Sequence, residues 1–187
     1  MRVISGSARG LKLKAPDGLN TRPTADRIKE SLFNIIAPYI YDCSFLDLFS
    51  GTGAIGIEAL SRGAKEACFV DFDKNSIDII NQNIKLAKFE QKATVYNLSV
   101  LDAIDKLAIN NKKFDIIFLD PPYDKNLLLP ALEKIENAKI LKDDGFIICE
   151  QHIKEEELNL KNLCTYRIKE YKITKMVFLE YKNKNII

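Results

Sequence analysis

From Ser44 to Gln151, short apolar runs alternate with longer amphipathic stretches, separated by turn residues. No other feature constrains the fold as much. SFLDLF, ACFVDFD, ATVYNLS, KFDIIFLD and GFIICEQ read as strands. AIGIEALSRG, NSIDIINQNIKLAK, a short stretch from Ala103 to Ala108, and LLLPALEKIENA read as helices. Gly63 closes the first of these helices, Pro130 starts or interrupts the last, and a Lys142-Asp143-Asp144-Gly145 turn precedes the fifth strand. Such alternation implies a parallel sheet with helices on both faces. The last two runs, CTYRIKEYKIT and KMVFLEYK, have no helix between them and must pair antiparallel.

Upstream, residues 2–14 alternate loosely around Gly6 and Gly10, as a hairpin or extended arm does, and a turn follows at Ala15-Pro16-Asp17-Gly18. TRPTADRIKESLFNII then predicts a helix with Thr24 as N-cap and Ile28, Leu32, Ile35 and Ile36 on one face. The expected organisation is one domain over 1–187, with an arm at 1–22 and an α/β core at 23–187. A chain of 187 residues that is 47% hydrophobic can bury the core this requires.

No apolar run approaches the ~20 residues that span a bilayer, and MRVISGSARGLKLK lacks the apolar core of a signal peptide. Cys43, Cys68, Cys149 and Cys164 are far apart, and His152 is the only histidine, so no metal site is expected. Reduced, mostly buried thiols and a cytoplasmic location are the plain reading. Net charge is only +2, but residues 1–30 hold seven basic side chains against three acids. Four of those bases, Arg2, Arg9, Lys12 and Lys14, fall within residues 1–16, which contain no acid. A basic end on a near-neutral body suits a localised polyanion contact, although it equally suits a solubilising terminus.

FLDLFSGTGAIGIEAL carries Gly51, Gly53 and Gly56 between a strand and a helix, and Asp71 follows Gly51 by 20 residues. Both features belong to the dinucleotide fingerprint, so an NAD(P)-dependent oxidoreductase has to be considered. Asp47, just before the turn, argues against it, because a carboxylate there repels a pyrophosphate. It suits a cofactor with a cationic amino-acid portion instead. S-adenosylmethionine fits, with Asp47 holding its ammonium directly or through water. Ser50, Gly51, Thr52 and Gly53 would pass close to the ligand. Asp71, followed by Phe72, would accept from the ribose hydroxyls, and Ser99 and Val100 would edge the adenine.

FLDPPYD ends the fourth strand with Asp120, Pro121, Pro122 and Tyr123. The prolines fix φ and donate no N–H, leaving their carbonyls as rigid acceptors, and a tyrosine offers a face for stacking a base. Asp120 and the Pro121 carbonyl can accept both hydrogens of an exocyclic amine, which frees its lone pair. For guanine, a carboxylate can take adjacent N1–H and N2–H donors together. Asp120 is expected at the mouth of the crevice that holds the cofactor.

RVISGSARGLKL, TRPTADRIKESLFNII, FLDLFSGTGAIGIEALSRGA, VDFD and LDPPY together resemble the RsmD family of 16S ribosomal RNA (guanine(966)-N2)-methyltransferases. The glycine and DPPY motifs specify only amino-methyl transfer; the arm, TRPT and LFNI are more selective. The resemblance implies a Rossmann-like class I S-adenosylmethionine-dependent methyltransferase fold, with a seven-stranded mostly parallel sheet and a C-terminal antiparallel hairpin. It implies a monomeric bacterial cytoplasmic enzyme acting on 16S rRNA in an assembling or assembled small subunit. Asp120, Pro121, Pro122 and Tyr123 become the catalytic loop, with Asp120 also bordering the cofactor. Arg22, Pro23 and Thr24 would border the pocket, and Arg9, Lys12 and Lys14 would grip RNA. Ser99 stands where this superfamily often has an acid. The alternatives are an adenine-N6 DNA methyltransferase, which needs a target-recognition segment this chain has no room for, and a catalytically silent RNA-binding module.

Overall fold

The computed structural model describes residues 1–16, 23–122 and 126–182, with backbone alone over 23–25. The chain divides into two compact units, Met1–Ser99 and Val100–Ile187. The seven strands belong to one mixed sheet with an α/β order of elements, as the alternation predicts.

The first unit contains β1 (Ser44–Asp47), β2 (Glu66–Asp71) and β3 (Ala93–Asn97), in parallel register with β2 central. Its helices are α1 (Pro23–Ile40), α2 (Ala54–Ser61) and α3 (Lys74–Ala87), and a short 3-10 turn (Glu90–Lys92) precedes β3. Helix α1 begins one residue before the predicted cap, so Thr24 lies inside it and does not cap it. The helix also runs through Pro38, two residues past Ile36. There it forgoes the bond an N–H would give to the Asn34 carbonyl, two residues before the helix ends. Leu32, Phe33, Ile36 and Ile40 are buried along it. Asp73 caps α3, accepting from the N–H groups of Asn75 and Ser76.

The arm is docked rather than free. Val3 and Leu11 pair across a hairpin-like turn, with Val3 N donating to Leu11 O at 2.9 Å, and the Val3 and Leu13 side chains are buried. Gly6 lies so close to α2 that a Cβ there would sit 1.8 Å from the Ser61 carbonyl oxygen. Only glycine permits that approach.

The second unit contains α4 (Val100–Ile109), β4 (Phe114–Leu119), α5 (Leu128–Ala138), β5 (Leu141–His152), β6 (Leu163–Glu170) and β7 (Thr174–Tyr181). β4 and β5 are parallel; β7 pairs antiparallel with both β5 and β6, as the missing crossover helix requires. The predicted turn at 142–145 is instead part of β5, where the ladder slips between Phe114 and Ile116. The irregularity absorbs the turn-forming residues without ending the strand. Pro130 is the third residue of α5, where its missing N–H has no intrahelical partner to lose. The four cysteines are free thiols. Among the described residues no helix is long and apolar enough to cross a membrane, and no cluster of acids, cysteines and histidine could hold a metal.

Candidate active site

β1 ends at Asp47, whose side chain is 1% exposed. Its Oδ2 accepts from Gly56 N, near the start of α2, at 3.2 Å. The carboxylate therefore places negative charge near the start of α2, the end of the helix to which a dinucleotide presents its pyrophosphate. Ser50 is equally committed: its hydroxyl donates to the Asp47 carbonyl at 2.8 Å and accepts from Val70 N at 2.9 Å. These bonds tie the ends of β1 and β2 together and set the direction in which the turn leaves the sheet.

Gly51 follows with φ +54° and Gly53 with φ +76°. A Cβ on Gly51 would meet nothing within 4 Å, so the turn presents bare backbone to open space. Gly56 has a different role, because a Cβ there would strike the Phe69 ring at 2.3 Å. Its lack of a side chain lets α2 pack on β2.

Asp71 ends β2 half-exposed. One oxygen accepts from Gly51 N at 2.9 Å and the other from Asp73 N at 3.0 Å. A carboxylate has acceptor capacity beyond two bonds, so Asp71 can still take a ligand hydroxyl. Phe72 beside it is 65% exposed and presents an apolar ring, while its carbonyl accepts from Asn97 Nδ2 at 2.9 Å. Ser99 is exposed just before α4, and Val100 is that helix's first residue. A cradle of open glycine backbone beside a hydroxyl-accepting carboxylate and a flat apolar ring fits a nucleoside cofactor.

Two buried polar side chains in this unit escaped the sequence reading. Asn83, fully buried on α3, accepts from Lys14 N at 2.7 Å and donates to the carbonyls of Lys14 and Thr52. It joins the arm to the glycine turn. Glu58, fully buried on α2, accepts from Ile4 N and Ser5 N at 2.8 and 3.0 Å and pairs with Lys29 and Arg62 at 3.4 and 2.8 Å. Burial pushes the Lys29 ammonium below its ordinary pKa, and Glu58 opposes that shift. The signal for both was available, since each is a polar residue on an otherwise apolar helix face.

Of the arm's cations, Arg9 lines a groove of about 430 Å³ with Arg2, Arg27, Asp26 and Glu30. Lys12 pairs by backbone with Arg2, and Lys14 Nζ donates to Gln82 at 2.6 Å. The three are exposed but do not converge on one groove. Arg22 lies outside the described residues, and of Pro23 and Thr24 only the helical backbone is described.

In the second unit Asp120 directly follows β4. It presents surface to water yet is crowded by protein at longer range, as a group in a recess is. That enclosure, and then the charge of Glu150, push its carboxyl up to about 7 from an ordinary 3.8; contact with water tempers the first cause. Since Leu119 pairs with Cys149, Asp120 and Glu150 are the next residues along adjacent parallel strands. Pro121, Pro122 and Glu150 line a cavity of about 450 Å³ with Leu127, Leu129 and Pro130. Tyr123 lies outside the described residues.

The family described as Conserved hypothetical protein 95 matches residues 1–180. "Ribosomal RNA small subunit methyltransferase D" of Haemophilus influenzae is 40% identical over 151 residues, 80% of this chain and 78% of the relative. The chain belongs to the RsmD family. The RsmD relative of the same name from Escherichia coli K12 is 36% identical over 153 residues, 82% of this chain and 75% of its own. A solved structure titled "Putative methyltransferase yhhF from Escherichia coli" superposes with a TM-score of 0.86 at 32% identity, covering 97% of each chain. Matches of this length explain why the arm and the TRPT segment, and not only the glycine and DPPY motifs, carry the RsmD resemblance.

Proposed function

We propose that this chain methylates ribosomal RNA with S-adenosylmethionine as donor, and that its target is the exocyclic N2 amine of guanine 966 in the 16S RNA of the small subunit. The carrying observation is Asp120: a water-accessible carboxyl with a raised pKa, ahead of two prolines that line a cavity large enough for a base. The donor supplies an electrophilic methyl on a sulfonium. Everything else the reaction needs is alignment, proton management and exclusion of competing nucleophiles, which side chains provide.

Gly51 and Gly53 would let the donor lie against backbone, and Asp71 would accept from its ribose. Phe72 and the segment at Ser99 and Val100 would flank the adenine. Asp47 is buried and bonded to Gly56, so its negative charge would favour the donor's ammonium through space or through an intervening water. The same charge near the start of α2 disfavours a dinucleotide, because it repels a pyrophosphate there. At the acceptor, Asp120 and the Pro121 carbonyl would hold the amine hydrogens, and Tyr123 would stack on the base. Transfer leaves the nitrogen with one proton too many, and a carboxylate with a pKa near 7 can take it at neutral pH.

Small subunits stripped of this methyl group, incubated with labelled S-adenosylmethionine and the purified chain, should acquire label at one guanine N2. Label on an adenine N6, in RNA or DNA, would replace this reading with the other amino-methyl transfer. Donor binding without label on any nucleic acid would leave only a binding module. The protein is expected to work as a monomer in the bacterial cytoplasm; sedimentation with and without RNA checks the first.

A further inference from the structure

Of the buried residues on α3, Ile80, Asn83, Ile84 and Ala87, only Asn83 is polar. An amide among apolar neighbours destabilises a fold unless its polar atoms find partners. Here Oδ1 accepts from Lys14 N at 2.7 Å, while Nδ2 donates to Lys14 O at 3.0 Å and to Thr52 O at 2.9 Å. Both Nδ2 hydrogens are thereby used, one on each residue. Exchanging the two ends of the amide would set Nδ2 against the Lys14 N–H, so the network fixes its orientation.

The two partners belong to different tasks. Thr52 lies between Gly51 and Gly53, whose φ angles are +54° and +76°, in the cradle described for the donor. That turn rests on α3, since a Cβ on Gly53 would lie 3.4 Å from Ile80 Cγ1, three positions before Asn83. Lys14 belongs to the basic arm, and its side chain is exposed. A second contact joins the same places. The Met1 carbonyl accepts from Leu13 N at 3.1 Å, and the Met1 sulfur accepts from the Thr52 hydroxyl at 3.5 Å. The base of the arm therefore meets Thr52 through its carbonyl and its side chain, all within the first unit.

We infer that Asn83 is a positioning residue through which RNA on the arm and donor in the glycine turn tighten each other's binding. RNA gripping the arm fixes Lys14, whose peptide groups hold the Asn83 amide, and the amide holds the Thr52 carbonyl. Donor in the cradle fixes the same chain of bonds from the other end. Each ligand orders an element that the other also needs, which gives positive cooperativity without a second fold. The inference rests on the RNA-methylation reading above and concerns how its two sites communicate.

The test measures binding by the full chain, with S-adenosylhomocysteine as the donor analogue, because it has no methyl to transfer, and under-methylated small subunits as the RNA. In wild type, subunits should tighten S-adenosylhomocysteine binding about fivefold or more, and saturating S-adenosylhomocysteine should tighten subunit binding by the same factor, since linkage is reciprocal. Asn83→Ala should bring both factors below about twofold while each ligand alone still binds. An asparagine that only stabilises the fold would, when replaced, weaken one or both affinities and leave the factor intact; that result overturns the proposal. Wild type supplies a second measurement should the buried substitution unfold. S-adenosylhomocysteine without RNA should slow hydrogen exchange at the Lys14 amide about fivefold or more, and an unchanged rate would overturn the coupling. No cooperativity in an enzyme that methylates would remove this inference alone, whereas wild type that neither binds nor methylates subunits would remove the reading beneath it.

Discussion

The backbone N–H of Gly51 donates to Asp71 Oδ2 at 2.9 Å, so the acid ending β2 holds the turn that ends β1. Asp71 thus shapes the cradle before any ligand arrives, so its carboxylate has a structural part besides the binding part proposed for it. Asp71→Asn should lower donor affinity by about ten- to a hundredfold, the worth of a charge-assisted hydrogen bond. Isothermal calorimetry reads this directly; an affinity within twofold of wild type would leave Asp71 no part in holding the donor.

Asp120 should act on the amine and not on the donor. Asp120→Ala is expected to abolish methyl transfer with donor affinity kept within a few-fold, and Tyr123→Ala should cost more turnover than Tyr123→Phe. Because the carboxylate is the form that accepts N–H donors, kcat/KM should fall as pH drops through about 7. Loss of donor binding in Asp120→Ala, or a flat profile from pH 6 to 8, would contradict this division of labour.

The same group has a stability signature of opposite sense to most carboxylates. Its folded pKa lies above its unfolded one, so ionisation costs the folded state more than the unfolded state. That cost is absent below 3.8 and complete above about 7. Asp120→Asn should therefore melt higher than wild type at pH 8, by an amount that disappears as pH falls toward 4. Melting curves across that range, showing no convergence, would deny the shift.

Glu58 should be the most sensitive position in the first unit. Glu58→Gln leaves Lys29 buried without its counter-charge, at a cost of about 3–5 kcal/mol, or roughly 6–20 °C in Tm for a chain of this size. Since neutral Lys29 needs no partner and burial already lowers its pKa, the deficit should shrink as pH rises from 7 to 10. A deficit independent of pH would mean that the Lys29 charge is not what Glu58 supports.

Neutralising Arg9, Lys12 and Lys14 together should weaken RNA binding and flatten its salt slope by up to about 2, if each touches phosphate. Lys14 is bonded to Gln82, so its replacement should have the smallest effect. Filter binding over a salt series on the three single variants ranks them; an unchanged slope in the triple variant would take the arm out of the RNA interface.

Strand and helix identities from Ser44 onward were legible because hydrophobic period is a local property, written residue by residue. So was the antiparallel end of the sheet, since a parallel pair needs a crossover that the chain does not contain. Asp47, Gly51, Asp71 and Asp120 could be picked out for the same reason: each falls at the end of a strand whose length the pattern sets. The reading erred where local signals compete with packing. Thr24 looks like a cap but lies inside α1, and Lys142-Asp143-Asp144-Gly145 looks like a turn but is drawn into β5 by its neighbours.

What the amino-acid order determined by itself was the kind of element at each place and the chemistry available at its ends, because both follow from periodicity and residue type over a few positions. Only the tertiary structure decided which of those groups remain available. Burial bound Asp47 to Gly56, made Glu58 and Asn83 the anchors of a docked arm, and set Glu150 beside Asp120. Those outcomes depend on approach between residues tens of positions apart, and no short-range pattern encodes the distance between them.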